Sequence, residues 1–279
     1  MITKTWLITG CSSGFGREIA LAALERGDKV AVTARNTNSV ADIVTQYPNT
    51  AIALSLDVTD KAQVTQAVAQ TCAILGSIDV LVNNAGYGYV AAIEEGEEDA
   101  VRALFETNFW GALTLTKAVI PHMRDNGGGT ILNNSSQAGL MSNPGTGYYS
   151  ASKYALEGLM EALGKEVTGQ NIRVCSVQPG AFRTDWAGRS MQRSAIALEP
   201  YAEVAARMDM IAQMDGKQPG DPKRAAQVFL DLADHPNPPP QLLLGQGVLT
   251  TYKEKLQAIE QQLGEWQETT EGVDFKLGE

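Results

Sequence analysis

Cysteine and histidine are scarce in this sequence. Its 279 residues include three cysteines and two histidines. Cys11, Cys72 and Cys175 are odd in number and widely separated, which predicts reduced thiols and argues against a disulfide framework. His122 and His235 lie far apart and lack the spacing of metal ligands. The composition therefore argues against a metal site and against metal-dependent catalysis.

Basic residues and long apolar runs are also few. Lysine and arginine number 22 against 32 acidic residues, which gives a net charge of −10 and a sequence pI near 4.8. Nucleic acids and anionic membranes bind basic surfaces, so neither is expected as the main partner. No apolar run approaches the roughly 18–20 residues that a membrane-spanning helix needs. No signal-peptide pattern precedes the first predicted strand, and we expect a cytoplasmic protein.

Short apolar runs alternate with helical patterns through the first half of the chain. Such alternation implies right-handed βαβ units, and hence a parallel sheet with helices on both faces. Asn38 or Ser39 is the expected N-cap of the second helix. The predicted strands are 5–9, 29–34, 51–56 and 78–82, and the predicted helices are 17–26, 39–46 and 61–71.

The second half continues the pattern, with one long interruption. Residues 99–123 are predicted as one long helix or as two helices joined near Gly111. Residues 181–219 show no β signal and are predicted to be irregular, with one or two mobile helices. No linker or repeat divides the chain, so a single domain over 1–279 is expected. Predicted strands at 130–134, 171–178 and 242–244 and predicted helices at 149–167, 222–233 and 252–269 complete the pattern.

Tyr149 and Lys153 are spaced to share one face of a helix. Side chains at positions i and i+4 are neighbours, so the phenol and the ammonium are predicted to converge. A nearby cation lowers the pKa of a phenol from its ordinary value of about 10, which would suit Tyr149 as a general acid and base near neutral pH. Ser136, after the strand predicted at 130–134, could hold a substrate oxygen beside the phenol. A plain surface pair on the helix is the alternative.

Residues 9–16, Thr-Gly-Cys-Ser-Ser-Gly-Phe-Gly, join the first predicted strand to the first predicted helix. Glycines let the backbone turn sharply and approach a diphosphate, and the helix N-terminus supplies N–H groups with partial positive charge. The second strand ends at Arg35, where an acid would bind a ribose 2′-hydroxyl but an arginine accommodates a 2′-phosphate. The predicted cofactor is NADP(H). NAD(H) is the alternative, with Arg35 then an ordinary surface residue.

Two further strand ends carry candidate cofactor contacts. Asp57 and Val58 follow the third strand, where the carboxylate could meet the adenine amino group or cap a helix. The sequence Asn83-Asn-Ala-Gly86 follows the fourth strand. Small residues there would let a cofactor lie against the carboxyl edge of the sheet, where ligands bind in open α/β folds. A plain turn is the alternative for this segment.

Together these motifs resemble the short-chain dehydrogenase/reductase family in their order and mutual spacing. The matching motifs are Thr9-Gly-x-x-x-Gly-x-Gly16, Asp57, Asn83-Asn-Ala-Gly86, Asn108, Ser136, Tyr149-x-x-x-Lys153 and Pro179-Gly180, over about the first two-thirds of the chain. The resemblance implies an α/β fold: a single Rossmann domain with a doubly wound parallel sheet of about seven strands and helices on both faces. A mobile substrate lid is expected at about 185–220, and a C-terminal strand and helix at about 241–270. The glycine turn and the C-terminal Leu-Leu-Leu-Gly look closest to hydroxysteroid and retinol dehydrogenases.

The resemblance implies a role for each matched residue. Tyr149 is the expected proton donor and acceptor, Lys153 lowers its pKa and binds the nicotinamide ribose, and Ser136 orients the substrate oxygen. Asn108 is expected to hold a water of a proton relay by kinking its helix locally. Trp186 is expected at the substrate, together with Ser136 and Tyr149. The expected cofactor contacts are Gly10, Ser12, Ser13, Gly14, Phe15, Gly16, Arg35, Asp57, Val58, Asn84, Ala85, Gly86, Tyr149, Lys153, Pro179, Gly180 and Thr184, and no metal is expected.

Two neighbouring residues are out of register with these motifs. Four residues after Tyr148 stands Ser152, which cannot supply a cation. Strand alternation predicts that Ser135 points to the face opposite Ser136. The assignments therefore rest on Tyr149 and Ser136.

The implied reaction is hydride transfer between a nicotinamide and a carbonyl or secondary alcohol. An apolar lid would favour a fairly hydrophobic ketone or aldehyde, although a helix packed on the core would show a similar pattern. A non-catalytic dinucleotide-binding regulator and a redox-neutral isomerising enzyme on the same fold are the alternatives. A homodimer through the helices that begin near 99 and 149 is expected, with a tetramer left open. The expected apolar lid residues are Trp186, Met191, Ile196, Leu198, Tyr201, Met208 and Met214.

Overall fold

Seven parallel strands form the central sheet, in the order β3-β2-β1-β4-β6-β7-β9. The computed structural model describes residues 3–275, so both ends of the predicted 1–279 domain lie outside the described residues. The strand order reverses between β1 and β4, which opens a crevice at the carboxyl ends of these strands. The strands are β1 (Thr5–Ile8), β2 (Lys29–Ala34), β3 (Ala51–Ser55), β4 (Val80–Asn83), β5 (Gly88–Val90), β6 (Gly129–Asn134), β7 (Ile172–Pro179), β8 (Met191–Arg193) and β9 (Gln241–Leu244). The predicted doubly wound sheet of about seven strands is confirmed.

Helices cover both faces of this sheet. Asp60 and Asp221 each accept hydrogen bonds from two backbone N–H groups and so cap the helices that follow them. The N-cap expected at Asn38 or Ser39 is wrong. Asn36 accepts from the backbone N of Asn38 and starts a 3₁₀ turn before α2. The helices are α1 (Gly14–Glu25), α2 (Ala41–Gln46), α3 (Lys61–Leu75), α4 (Glu98–Phe105), α5 (Ala112–Asp125), α6 (Gly147–Glu166), α7 (Ala202–Gln213), α8 (Pro222–Asp234), α9 (Gln246–Glu265) and α10 (Gln267–Glu271).

The central strands are largely apolar because both faces of the sheet are buried. In β1, Trp6 and Ile8 belong to the core beneath α1 and α8, whereas Leu7 belongs to the core beneath α3, α5 and α6. Alternate residues of a strand point to opposite faces, so one short strand contributes to two separate cores. The two cores pack on opposite faces of the sheet, and the candidate site lies at the carboxyl edge of its strands.

The long helix predicted over 99–123 is two helices, α4 and α5, joined by a π-helical segment at Glu106–Gly111. The predicted joint near Gly111 is therefore confirmed. Gly111 packs against Val58 so closely that a Cβ there would lie 2.6 Å from a methyl group of Val58. The wider turn of the π segment brings Asn108 into the interior, where it is almost fully buried.

Residues 181–219 contain a strand that was not expected. Strand β8 pairs in parallel with β5, so the expectation of no strand in this stretch is wrong. Met-Gln-Arg has no alternating apolar pattern, and the pairing is a long-range backbone contact that periodicity cannot reveal. The segment is further attached to the body by Ser194 Oγ, which donates to the carbonyl of Glu95, and by Leu198 N, which donates to Glu95 Oε1 at 2.8 Å.

The C-terminal part returns to the sheet and then leaves it. Strand β9 pairs in parallel with β7, and α9 begins directly after Gly245. Glu157 of α6 accepts hydrogen bonds of 2.9 Å from Gln178 of β7 and Gln241 of β9, which fastens the edge strand to the helix. Over residues 3–275, no helix combines the length and the apolar character needed to cross a membrane.

Candidate active site

A cavity of about 1030 Å³ lies at the carboxyl edge of the sheet, at the point where the strand order reverses. It extends from the glycine turn to α6 and on to the segment after β7. Of the residues predicted to form the site, Gly16 and Asn108 lie behind the wall of this cavity. The predicted residues that line it are Gly10, Ser12, Ser13, Gly14, Phe15, Arg35, Asp57, Val58, Asn84, Ala85, Gly86, Ser136, Tyr149, Lys153, Pro179, Gly180, Thr184 and Trp186.

The glycine turn is held against the end of β4 by a dense set of hydrogen bonds. Thr9 Oγ1 accepts from the backbone N of Asn84 and of Ala85, each at 2.8 Å. Asn84 Nδ2 donates to the carbonyls of Thr9 and Gly10. A Cβ on Gly16 would lie 2.4 Å from Asn84 Nδ2 and 2.5 Å from the carbonyl oxygen of Gly10. Gly16 therefore permits the close packing of the turn, and the Asn84 side chain is occupied by protein contacts.

Phe15 points its ring into the protein. Its ring centre is 5.1 Å from that of Phe182 and 6.5 Å from that of Phe229. The residue belongs to the wall of the cavity, and its backbone opens α1. Any contact of Phe15 with a ligand at the helix N-terminus is therefore expected through the backbone.

Arg35 and Asp57 lie at the end of the cavity farthest from α6. Arg35 is exposed and takes part in no ion pair with another described residue. Asp57 Oδ1 accepts from the backbone N of Thr59 at 3.0 Å and from its hydroxyl at 2.8 Å. Asp57 therefore shapes its own turn, and the N-cap of α3 is Asp60.

Tyr149, Ser136 and Trp186 meet at the other end. The rings of Tyr149 and Trp186 have centres 5.4 Å apart, and the Ser136 hydroxyl lies next to the phenol. Ser136 Oγ also accepts from the backbone N of Ala138 at 3.1 Å, which fixes its side chain at the start of a short 3₁₀ turn. The three side chains come from the turn after β6, from α6 and from the segment after β7, so only the tertiary fold brings them together.

Lys153 lies one turn after Tyr149 on α6. Its Nζ is 5.8 Å from the centre of the Tyr149 ring and donates to the carbonyl of Asn134 at 2.9 Å. Tyr149 and Lys153 are both buried, with 6% and 5% of their surface exposed. The two side chains thus share one face of α6, as predicted, and the ammonium is directed to the Asn134 carbonyl.

Burial governs the ionisation of both groups. It raises the pKa of Tyr149 to about 12, and the Ser136 hydroxyl and the Trp186 indole offset only part of this rise. Burial also lowers the pKa of Lys153 to about 8, against the opposing effect of the Glu157 carboxylate. The expectation that Lys153 lowers the pKa of Tyr149 is wrong. The side chains that lower this pKa are Ser136 and Trp186, and burial outweighs both. Lys153 is directed to the Asn134 carbonyl, and desolvation of the phenol dominates.

Asn108 supports the cavity from behind. Its Oδ1 accepts from the backbone N of Tyr87 at 3.1 Å, and its Nδ2 donates to the carbonyl of Tyr87 at 3.0 Å and to Ser152 Oγ at 3.2 Å. Asn108 lies within the π-helical segment, so the predicted local distortion of its helix is present. These bonds hold the loop after Gly86 against α6, immediately behind Tyr149 and Lys153.

Tyr148 and Ser135, the neighbours that are out of register, do not take the places of Tyr149 and Ser136. Tyr148 turns aside, and its hydroxyl donates to the carbonyl of Ile93 at 2.5 Å. Ser135 Oγ is buried and has no hydrogen-bond partner among residues 3–275. A Cβ on Gly139 would meet both Ser135 Oγ and the Glu157 side chain, so Ser135 lies on the Glu157 side of its strand.

The segment after β7 forms the remaining wall. The Thr184 side chain lies over Gly14, whose Cβ would be 3.3 Å from Thr184 Cβ. Val248 of α9 covers Gly180, where a Cβ would lie 2.4 Å from a methyl group of Val248. The first turn of α9 thus packs on the strand end next to Thr184. No sequence signal pointed to Val248, because the contact joins parts of the chain that are far apart.

The wall near residues 185–220 is less apolar than predicted. Of the seven apolar residues expected there, Trp186 and Met214 line the cavity, whereas Met208 is buried against Gly145. Sequence reasoning missed Tyr87, which follows the Asn-Asn-Ala-Gly segment and could have been found from that position. It also missed polar residues that lack a motif, namely Gln137, Asn143, Thr146, Arg189, Gln192, Arg207 and Gln218.

Comparison with known proteins identifies chains similar to this one. Residues 4–195 match the sequence model of a family described as short chain dehydrogenase. The chain is 38% identical to the 3-ketodihydrosphingosine reductase of Bacteroides thetaiotaomicron over 234 residues, 84% of each chain. A short-chain dehydrogenase from Streptomyces avermitilis, known from a crystal structure, is similar with a TM-score of 0.92 at 42% identity, over 98% of this chain and 100% of that one.

A second solved structure carries a bound nucleotide. It is the 3-ketoacyl-(acyl-carrier-protein) reductase of Brucella melitensis in complex with NADH. It is 25% identical, with a TM-score of 0.74, over 86% of this chain and 96% of that one.

Proposed function

The chain belongs to the short-chain dehydrogenase/reductase family, and from this premise we propose that it is an NADP(H)-dependent oxidoreductase. The proposed reaction interconverts a carbonyl compound and its secondary alcohol by hydride transfer. The proposed substrate is a small, fairly hydrophobic ketone or aldehyde. One observation carries the proposal: Ser136, Tyr149 and Lys153 meet at the end of the cavity that begins at the glycine turn.

Tyr149 is the proposed proton donor. With a pKa of about 12 its phenol is protonated at neutral pH, and that form can give a proton to the oxygen of a carbonyl under reduction. Lys153, with a pKa of about 8, is mostly charged at pH 7 and donates to the Asn134 carbonyl beside the phenol. The Ser136 hydroxyl, fixed beside the phenol, would hold the substrate oxygen in place for the transfer. Asn108, behind this group, would keep Tyr87 and α6 in position.

A nicotinamide dinucleotide, when bound, would supply the hydride. The described residues fit such a group, because the cavity is continuous from Arg35 past Gly86 to Tyr149. A Cβ on Gly86 would lie 3.0 Å from Asn108 Oδ1, so the wall there must stay free of a side chain. The N–H groups that open α1 would bind the diphosphate, and Arg35 would accommodate a 2′-phosphate.

The remaining proposed cofactor contacts follow the cavity wall. Asp57 would face the adenine with the carboxylate oxygen that its turn does not use. Lys153 would bind the nicotinamide ribose, and Thr184 would meet the carboxamide beside Pro179 and Gly180. NAD(H) is the alternative cofactor, and the related reductase of Brucella melitensis was solved with NADH.

The substrate proposal rests on the wall opposite the glycine turn. Trp186, Ile211 and Met214 offer apolar surface, and residues 185–220 would close over the substrate as a lid. Arg207 and Gln192 add polar groups to this wall. A ketone with an apolar body and a polar end fits such a lining. The ketone named in the relative from Bacteroides thetaiotaomicron, 3-ketodihydrosphingosine, is consistent with that class.

The test is a turnover screen with NADPH and NADH over ketones, aldehydes and quinones, with the Tyr149→Phe variant alongside. We expect consumption of NADPH, faster than that of NADH at equal low concentration, because Arg35 can bind the extra phosphate. Tyr149→Phe should lower kcat about a hundredfold or more while NADPH binding, followed by fluorescence titration, is retained. Tyr148→Phe is the matched control and should keep kcat within about twofold, since its hydroxyl bonds the Ile93 carbonyl outside the site.

Undiminished turnover by Tyr149→Phe would contradict the proposed mechanism, and equal use of NADH would contradict the role of Arg35. Tight NADPH binding without turnover of any compound would favour a dinucleotide-binding regulator. Product formation without net change in NADPH would favour an isomerising enzyme.

A further inference from the structure

The C-terminal helix α9 leaves the body of the protein after about its first three turns. Val248 is buried, and Tyr252 and Lys255 are half-buried. Lys255 Nζ donates to the Tyr154 hydroxyl at 2.8 Å and to the carbonyl of Leu140. From Leu256 to Phe275 every described residue is exposed. The second half of α9 therefore makes no packing contact that would explain its stability.

Large apolar residues recur along α9 at alternating intervals of three and four. We call this row the seam; it consists of Leu249, Tyr252, Leu256, Ile259, Leu263 and Trp266. Intervals of three and four repeated in this way are the a and d positions of a heptad, the pattern of helices that pack as a coiled coil. Tyr252 is half-covered by the body, whereas Leu256 and Leu263 are 48% and 65% exposed. The part of α9 beyond Lys255 is shorter than the roughly 12–15 residues below which an isolated helix is marginal in water, so its apolar face needs a partner.

The charges beside the seam indicate what the partner is. Lys253 and Glu260 both occupy e positions, are exposed, and form no ion pair with another described residue. When two such helices run antiparallel, the e side of one faces the e side of the other. Lys253 would then meet Glu260 of the partner subunit, and Glu260 would meet the partner subunit's Lys253. A two-fold pair is thus self-complementary in charge.

A parallel pair would need a different cation. In that orientation a g position faces the e position five residues further along the other helix, so Lys255 would have to pair with Glu260 of the partner subunit. Lys255 is already engaged by Tyr154 and the Leu140 carbonyl within its own chain. The antiparallel orientation uses the lysine that is free among the described residues.

We propose that α9 binds α9 of a second copy of this chain, in an antiparallel pair along the seam. This interface is separate from the helices near 99 and 149, through which a homodimer was expected from the resemblance. It also relates to the site, because the first turn of the same helix places Val248 over Gly180 at the cavity wall. Pairing would hold α9, and with it that wall, in one position.

The first test compares Leu256→Glu with Gln257→Glu in the full chain, by light scattering coupled to size exclusion. Both variants add one negative charge at neighbouring positions, but only Leu256 belongs to the seam. We expect Leu256→Glu to halve the mass at a given concentration and Gln257→Glu to leave it unchanged. A monomeric wild-type chain, or equal masses of the two variants, would overturn the proposal. Both side chains are exposed, so neither change should prevent folding.

The second test fixes the orientation by charge reversal. Lys253→Glu and Glu260→Lys should each weaken association about tenfold, measured by sedimentation equilibrium, because each places like charges opposite one another twice. The double variant should recover association to within about threefold of wild type. If Glu260→Lys weakened association but Lys253→Glu did not, and the double variant did not recover it, the pair would be parallel. That outcome would contradict the proposed antiparallel pair.

A membrane surface is the competing occupant of an apolar helix face. Co-sedimentation with vesicles of phosphatidylcholine and phosphatidylserine distinguishes it from a second copy. We expect no binding, since the chain carries a net charge of −10. Binding that Leu256→Glu abolishes, with no change of mass in solution, would assign the seam to lipid and overturn the proposal.

Discussion

At the scale of single residues, Tyr149 and Lys153 show how burial changes the chemistry of a side chain. Their spacing suggested mutual stabilisation of the charged forms, yet burial favours the neutral form of each. A protonated phenol next to an ammonium that is easily deprotonated suits proton donation to a carbonyl. Which form of each side chain predominates therefore depends on where these groups are buried as well as on which groups they are.

The pKa of Lys153 gives a prediction for stability. Its pKa falls from 10.5 to about 8 on folding, so below pH 8 the folded chain carries a buried charge that burial disfavours. The unfolded state binds more protons between pH 8 and 10.5, so wild-type stability rises with pH across that window. Lys153→Met should thus be more stable than wild type at pH 7, by up to about 3 kcal/mol, and lose this advantage by pH 10.5.

Urea denaturation of both proteins between pH 6 and 10.5 measures this difference. Lys165→Met is the matched control, because Lys165 lies on the same helix with 75% of its side chain exposed. It should change stability by less than about 0.5 kcal/mol at every pH. If the difference in the free energy of unfolding between Lys153→Met and wild type did not vary with pH, folding would not lower the pKa of Lys153, and the prediction would be wrong.

At the scale of elements, the contact between the glycine turn and the end of β4 determines where α1 begins. Gly16 sits in the first turn of α1, and Asn84 and the Gly10 carbonyl lie against it. The same packing directs the N-terminal N–H groups of α1 into the cavity. A side chain at this position would push the helix away from the strand and remove the proposed diphosphate site.

Gly16→Ala is therefore expected to impair both folding stability and cofactor affinity. Its Cβ would lie 2.4 Å from Asn84 Nδ2 and 2.5 Å from a backbone oxygen, and the backbone cannot easily move. We expect a loss of about 2 kcal/mol in the free energy of unfolding and at least tenfold weaker NADPH binding, measured by urea denaturation and fluorescence titration.

Gly158→Ala provides the contrasting control within α6. Gly158 is exposed in the middle of the helix, and a Cβ there would meet nothing within 4 Å. Alanine should stabilise the protein by about 0.5–1 kcal/mol and leave NADPH binding unchanged. If the two variants behaved alike, the argument from close packing at Gly16 would fail.

At the scale of the whole molecule, a buried cluster of charges joins distant parts of the chain. Asp28 accepts from the Trp6 indole at 2.9 Å, from the backbone N of Lys4 at 3.0 Å and from Arg26. Arg26 also pairs with Asp234 at 2.8 Å, at the end of α8. The side chains of Arg26 and Asp28 are only 15% and 4% exposed. The cluster therefore ties the first strand, α1 and α8 into one unit.

Asp28→Ala should destabilise the protein by about 3 kcal/mol, because it leaves a largely buried guanidinium and a buried indole N–H without their acceptor. Asp42→Ala removes the partner of Arg17 in an ion pair whose carboxylate is 62% exposed. That change should cost less than about 1 kcal/mol. Urea denaturation at pH 7 compares the two, and similar losses would mean that burial does not set the strength of these pairs.

The sequence by itself determined the strands of the central sheet, most of the helices and the chemical groups of the candidate site. Strands such as 29–34 are largely apolar, and several helical patterns end close to a glycine or proline, so these elements depend on neighbouring residues alone. The glycine turn, Ser136, Tyr149 and Lys153 were visible for the same reason, since each motif is short and its spacing is local.

Only the tertiary structure decided how those groups are surrounded. The pairing of β5 with β8, the contact of Val248 with Gly180 and the direction of Lys153 towards the Asn134 carbonyl all join residues far apart in the chain. The pKa of a buried group depends on everything packed around it, so spacing alone gave the wrong direction for Tyr149. Local patterns determine which elements form, whereas desolvation and long-range packing determine what their side chains can do.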